Sequence, residues 1–149
     1  MSTIKNIDGP KDFIFRVLSG VAIGIVAGLV PNAILGEIFK YFMQYHPIFK
    51  TLLGVVQAIQ FTVPALIGAL IAMKFNMTPL AIAVVASASY VGSGAAQFKQ
   101  GTWVIAGIGD LINTMLTASI AVLLILLIEE RVGSMALIVR SEERRVGKE

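Results

Sequence analysis

Between Val104 and Ile128 the chain runs for 25 residues with a single ionisable side chain, Asp110. Hydrocarbon offers no partner for backbone N–H and C=O groups, so only helices and closed barrels span it. A helix crosses the roughly 30 Å core with about 20 mostly apolar residues. Three further stretches resemble this one, giving expected spans at about 13–30, 51–73, 79–96 and 104–128. The chain is 56% hydrophobic and 14% charged, with a mean hydropathy of +0.83. A soluble domain carries roughly 25% charged residues, so a hydrophobic soluble bundle is disfavoured. The expected class is all-α: a polytopic integral membrane helical bundle of about four transmembrane helices, with a short interfacial helix and room for a re-entrant segment.

The first span places Gly20, Gly24 and Gly28 at intervals of four, a groove on one face where another helix can approach closely. Pro31 is expected to close it. In the next stretch, "PNAILGEIFKYFMQY", Ile34, Leu35, Ile38, Phe39 and Phe42 share a face opposite Glu37, Lys40 and Gln44. That pattern suits a short helix lying along the interface, and Tyr41 and Tyr45 suit the headgroup level. In the second span Pro64 crowds the carbonyl of Gln60. Gln57 and Gln60 lie on the same helical face as Pro64, which fits either a hydrated path or a kink with interhelical hydrogen bonds. The third span opens with Thr78 as N-cap before Pro79. It ends in Gly92, Ser93 and Gly94, which weaken a helix and can open into non-helical backbone.

Asp110 admits two readings. In one helix over 104–128, about 37 Å long, the carboxylate lies roughly 9 Å inside and needs a cavity, a partner or a proton. A helix that starts after Asp110 instead uses the carboxylate as N-cap. Leu111–Ile128 then spans about 27 Å, and the preceding "GSGAAQFKQGTWVIAGIG" can dip into the membrane and return. Both readings give Asp110, Asn113, Thr114 and Thr117 a common face. A glycine-rich entry, an acidic cap and a polar first turn resemble the broken-helix sites of transporters.

Soluble enzyme chemistry lacks its parts. There is no cysteine, the single histidine His46 sits beside Pro47, and no phosphate loop or zinc spacing occurs. No metal or cofactor is expected, and no basic stripe suits nucleic acid. Lys5, Lys11, Arg16, Lys74 and Arg131 against Lys40, Lys50 and Lys99 favour a cytoplasmic N-terminus. Residues 1–12 read as a polar leader, not a cleaved signal peptide.

The stretches "GVAIGIVAGLVPNAILGEIFK", "YVGSGAAQF" and "WVIAGIGDLINTMLTASIAVLLILLI" resemble the phosphotransferase-system subunit IIC-like permeases, including a branch called perfringolysin-regulator-like. The likeness covers Phe13 to Val139 and is most specific in "AGIGDLINTMLTA". It implies a permease of the bacterial plasma membrane that binds and translocates a sugar, with the phosphoryl group carried by partner subunits on separate chains. A homo-oligomer is also expected. The solute path would be lined by Gln57, Gln60, Asp110, Asn113 and Thr114 with the backbone of Gly92, Ser93 and Gly94. Amides, hydroxyls and one carboxylate suit a polyhydroxylated solute, and also a cation or proton relay. A membrane sensor that binds a solute or partner without moving it is the alternative, and a structural scaffold a third reading. Glu129 and Glu130 carry no assigned role.

The ending "RSEERRVGKE", residues 140–149, resembles an in-frame translation of a common short-read sequencing adapter at every position. On that reading 140–149 is a non-native tail, 13–139 is the N-terminal part of the permease domain, and a C-terminal half is missing. Reading the source DNA through codon 139 tests this. The expected frame continues into further spanning helices, and a frame that encodes the tail and then stops contradicts it.

Overall fold

The glycine groove is where the packing of the first helix is decided in this computed structural model, which describes residues 9–146, with side chains described at 9–129 and at 131. Helix α1 runs unbroken over Pro10–Phe42. Its buried positions are Val17, Gly20, Gly24, Gly28, Asn32 and Gly36, a stripe of period three to four composed almost wholly of small residues. The large side chains Phe15, Leu18, Val26, Val30 and Ile34 point outward. In water this distribution would be backwards. In lipid, helices associate through close backbone approach and van der Waals packing, so small residues belong inside.

The helix lying in that groove is α3 (Val63–Lys74), which comes after α2 (Ile48–Gln60). A Cβ added at Gly20 would sit 2.7 Å from Ile71 Cα, one at Gly24 2.6 Å from Ile67 Cγ1, and one at Gly28 2.9 Å from Val63 Cγ2. The partners descend as the glycines ascend, so α1 and α3 are antiparallel. Arg16 fastens one end of the pair. Its guanidinium donates to Asp12 at 2.7 Å and to the Lys74 carbonyl at 3.1 Å, and lies 5.9 Å from the centroid of the Phe75 ring. The other end of α1 packs on α2, where Phe39, Phe42 and Phe49 cluster.

Helix α4 (Pro79–Gly92) returns along α3, with Gly68 against Ser89 and Val85. As expected, Thr78 caps it, the hydroxyl accepting from Ala81 N at 3.4 Å. Strands β1 (Ala96–Lys99) and β2 (Thr102–Ile105) then pair antiparallel, and α5 (Leu111–Val146) runs back along α4 and α3. The core is Val63, Ile67, Ile71 and Phe75 of the α3 segment packed on Val17, Val85, Ala118 and Val122.

Several expected boundaries are corrected. Pro31 does not end the first helix, and the interfacial helix is the continuation of α1. Proline removes one hydrogen bond and crowds the preceding turn, at a cost of up to about 3 kcal/mol. The carbonyl that loses its donor is that of Ala27, and in the same turn Asn32 Nδ2 donates to the neighbouring Gly28 carbonyl at 2.6 Å. The helix starts at Pro10, so the leader is shorter than 1–12; its residues 1–8 lie outside the described ones. The second span is two helices bent by 43°. The break falls at Phe61–Thr62, where Thr62 Oγ1 donates to Ile59 O at 2.8 Å. Pro64 thereby occupies the first turn of α3, where its missing N–H is not needed. The third helix stops at Gly92 rather than 96, and 96–105 forms the hairpin. Its turn has φ of 50° at Gln100 and 81° at Gly101, the positive pair that a tight hairpin turn requires.

Two helices, α1 and the Leu111–Glu129 part of α5, are long and apolar enough to cross a membrane, and three if the bent α2–α3 pair counts as one. The protein is an all-α membrane helical bundle with one small hairpin. Helix α4, with 14 residues, is about 21 Å long and falls short. The adapter-like segment 140–149 lies where side chains are outside the described ones.

The glycine face predicts an asymmetric response to substitution. Gly24→Val would drive methyl groups into the α3 backbone and is expected to cost about 1–3 kcal/mol or more. Gly54 of α2 has nothing within 4 Å of an added Cβ, so Gly54→Ala is expected to be neutral or stabilising by up to about 1 kcal/mol. Thermal unfolding in detergent micelles checks both.

Candidate functional site

The end of α4 and the start of α5 lie side by side. Ser93, 2% exposed, accepts at its carbonyl from the Asp110 N–H at 2.8 Å. Its hydroxyl donates to Tyr90 O at 2.7 Å and accepts from Ala95 N at 3.1 Å. Ala106 N donates to Ala95 O at 2.8 Å and completes the clasp at the base of the hairpin. Two glycines make the approach feasible. Gly94 has φ of 75°, and Gly109 has φ of 72° with Ser93 so near that a Cβ would lie 2.5 Å from Oγ. Both conformations disfavour residues with a Cβ.

Asp110 settles the opening ambiguity in favour of the cap. Oδ1 accepts from Ile112 N at 2.7 Å and from Asn113 N at 3.4 Å. Helix α5 therefore starts at Leu111, and residues 104 and 105 belong to β2 rather than to a helix. The Asp110 carbonyl accepts from both Thr114 N, at 2.9 Å, and Thr114 Oγ1, at 2.7 Å. The carboxylate is exposed, as is Asn113, whereas Thr114 is fully buried with its hydroxyl engaged. The shared polar arc thus divides. Asn113 marks its open margin, while Thr114 and Thr117 mark the margin that packs on α4, with Thr117 against Gly92.

The contact lies deep. Gly24 meets Ile67 and the adjacent Gly68 meets Ser89, so Ser89 is level with Gly24. Ser93 lies about 6 Å further along α4, level with Gly28. On α1 that level is about 18 Å from Arg16 and about 13 Å from Glu37, and no charged residue occurs between those two. The meeting of the two helix ends therefore falls within the uncharged slab. Arg16 and Lys74 share one boundary of the slab, and the Glu37–Lys40 ion pair at 2.6 Å marks the other.

Of the residues singled out in the sequence, Gly92, Ser93, Gly94, Asp110, Asn113 and Thr114 come together. Gln57 is exposed and Gln60 half-buried on α2, which packs chiefly on α1, and neither joins the group. Gly109 and Asn32 were missed. Glycine next to Ser93's partner Asp110 was legible as a flexible entry, but not as a contact. Asn32 directly after Pro31 could be expected to bond back to a carbonyl of the preceding turn, as it does to Gly28. Two depressions, one of about 500 Å³ along Ala83, Ser87 and Val91 and one of about 130 Å³ between Val17 and Met115, are apolar and contain none of these residues.

A family profile described as "Phosphotransferase system, EIIC" matches residues 15–141. No curated protein and no solved structure matches the chain.

The cap geometry separates the two roles open to Asp110. Asparagine caps as well as aspartate does, whereas alanine forfeits about 0.5–2 kcal/mol. Asp110→Asn is expected to keep the wild-type melting temperature and Asp110→Ala to lower it, measured in micelles without solute.

Proposed function

The chain belongs to the phosphotransferase system EIIC family, and on that premise we propose that it binds and translocates a sugar or similar polar solute at the Ser93–Asp110 junction. Membership makes it a membrane component of such a system, with phosphoryl-carrier partners and a sugar substrate in general terms. The observation that carries the finer reading is the interruption of the helices inside the uncharged slab. The carbonyls of Ser89, Tyr90, Val91 and Ser93 and the amides of Ile112, Asn113 and Thr114 are all held within the junction, so it is side chains that face outward. Beside them the Asp110 carboxylate and the Asn113 amide stand exposed. Interrupted helices place polar side chains at a depth where lipid offers no partner. A carboxylate accepts two hydroxyls and an amide both donates and accepts, which matches vicinal hydroxyl groups.

Phosphoryl chemistry is assigned to the partner subunits, since this chain has no cysteine and its only histidine, His46, lies at the α1–α2 turn. The membrane is assigned as a bacterial plasma membrane, with the Arg16–Lys74 end in the cytoplasm. Ser93 and Thr114 hold the junction in shape, and Asp110 and Asn113 touch the solute.

A panel of sugars screened by thermal shift on the purified chain tests the reading. A ligand at 100 times its Kd adds about 2.7 kcal/mol, on the order of 5–10 °C for a chain of this size. Asn113→Ala and Asp110→Asn are expected to abolish the shift while retaining the unliganded melting temperature. A shift that survives both substitutions places the solute elsewhere.

A further inference from the structure

The hairpin is two-sided, with large apolar side chains in the open on one face. In the observed register Ala96 pairs with Ile105 and Phe98 with Trp103, so these four share one face. Gln97, Lys99, Thr102 and Val104 occupy the other. Phe98, Trp103 and Ile105 are 62%, 63% and 59% exposed, and the two rings stack edge-on at 5.5 Å. At the base Ala96 and Gln97 are both half-buried, the Gln97 amide donating to the Gly94 carbonyl at 3.1 Å next to Ser93, while Lys99, Thr102 and Val104 are exposed. Beyond its base the hairpin is therefore exposed on both faces, and the second face is tied to the junction through Gln97. Folding in water would favour covering the Phe98–Trp103–Ile105 face, since burying a Phe or Trp stabilises by removing its area from water.

We propose that the hairpin is a two-sided wall in the outer layer of the bilayer. Its Phe98–Trp103–Ile105 face rests on lipid, and its Gln97–Lys99–Thr102 face borders water that reaches Asp110. Three observations select lipid as the occupant. The outward face carries the same kind of large apolar side chains as the exposed faces of α1 and α5. Its base lies about 13 Å below the level of Glu37. Strands of four residues span about 13 Å, which puts the charged boundary within reach of Lys99 at the turn. An aromatic pair beside a lysine is the composition favoured at that level, with rings at the headgroups and an ammonium in water. Water on the other face also serves the open strand edges, whose N–H and C=O groups lipid cannot satisfy. The inference rests on membrane insertion alone and holds whatever the solute is.

Trp103 is the only tryptophan in the chain and there is no cysteine, so both faces can be read without background. In the full chain reconstituted into liposomes, Trp103 fluorescence is expected to be quenched by lipids brominated high on the acyl chain. No substitution is needed for this arm, which stands even where a variant misfolds. Single-cysteine variants Gln97→Cys and Thr102→Cys are expected to react with a water-soluble maleimide roughly tenfold or more faster than Phe98→Cys and Ile105→Cys, since access and thiolate formation both need water. Equal labelling on both faces without quenching puts the hairpin in bulk water and overturns the proposal. Slow labelling everywhere without quenching means protein covers it, and slow labelling everywhere with quenching means lipid surrounds it; either outcome overturns it too.

Discussion

The contact of the α1 glycine face with α3 is the constraint on which the remaining geometry depends. Ile71, Ile67 and Val63 lie so near Gly20, Gly24 and Gly28 that no side chain fits between. In lipid, burying apolar surface against apolar surface brings little, because the acyl chains are as apolar as leucine. What remains is dispersion, which falls steeply with a small gap. A continuous four-residue repeat of glycine brings two backbones together along several turns. Helix α3 is held there over its whole length, although 12 residues alone would be too short to span.

From that seat the other elements take their levels. Gly68 lets Ser89 of α4 approach α3, and Gly92 lets Thr117 of α5 approach α4. Each interface uses a glycine on one partner and a small polar or branched residue on the other. Because α3 begins only at Val63, α4 ends at the same depth, and the chain must cross to α5 inside the uncharged slab. The cost of leaving helical backbone there is met locally. Ser93 O, Ala95 O and Asp110 O all find donors, and among the described residues no buried side-chain nitrogen or oxygen lacks a partner. Polar groups are thus concentrated at one depth, beside an exposed carboxylate, in a chain of the EIIC family.

The broad class was legible because it derives from composition: long uncharged runs, few charges, and large residues alternating with glycine. The packing role of Gly20, Gly24 and Gly28 was legible for the same reason, since a period of four places them on one face whatever they face. Thr78 before Pro79 marked the start of α4 correctly, because a cap is a property of adjacent residues. The Asp110 site was half legible. Its cap depends only on the amides of the next residues, but its hydrogen bond to Ser93 joins positions far apart in the chain. The hairpin was not foreseen as strands, because "AQFKQGTWVI" is short, alternates weakly, and has a turn of Gln100 and Gly101 rather than asparagine and glycine.

The two prolines mark the division most sharply. By itself the sequence determined that the chain enters a membrane as helices, that α1 carries a glycine face, and that Asp110 can cap a helix beginning at Leu111. It read Pro31 as the close of the first span and Pro64 as lying inside the second, where it crowds the Gln60 carbonyl. Only the tertiary structure decided that α1 continues through Pro31 while α2 and α3 part before Pro64. At the first the helix runs on past the Ala27 carbonyl that Pro31 leaves without its usual donor, with Asn32 bonded to the neighbouring Gly28 carbonyl. At the second, the 43° bend accompanies a change of surroundings, from α2 packed chiefly on the end of α1 to α3 enclosed by α1, α4 and α5. A proline's local cost is set by its own ring, but whether the helix bends depends on what neighbouring helices gain from the bend, and that is a property of the assembled bundle.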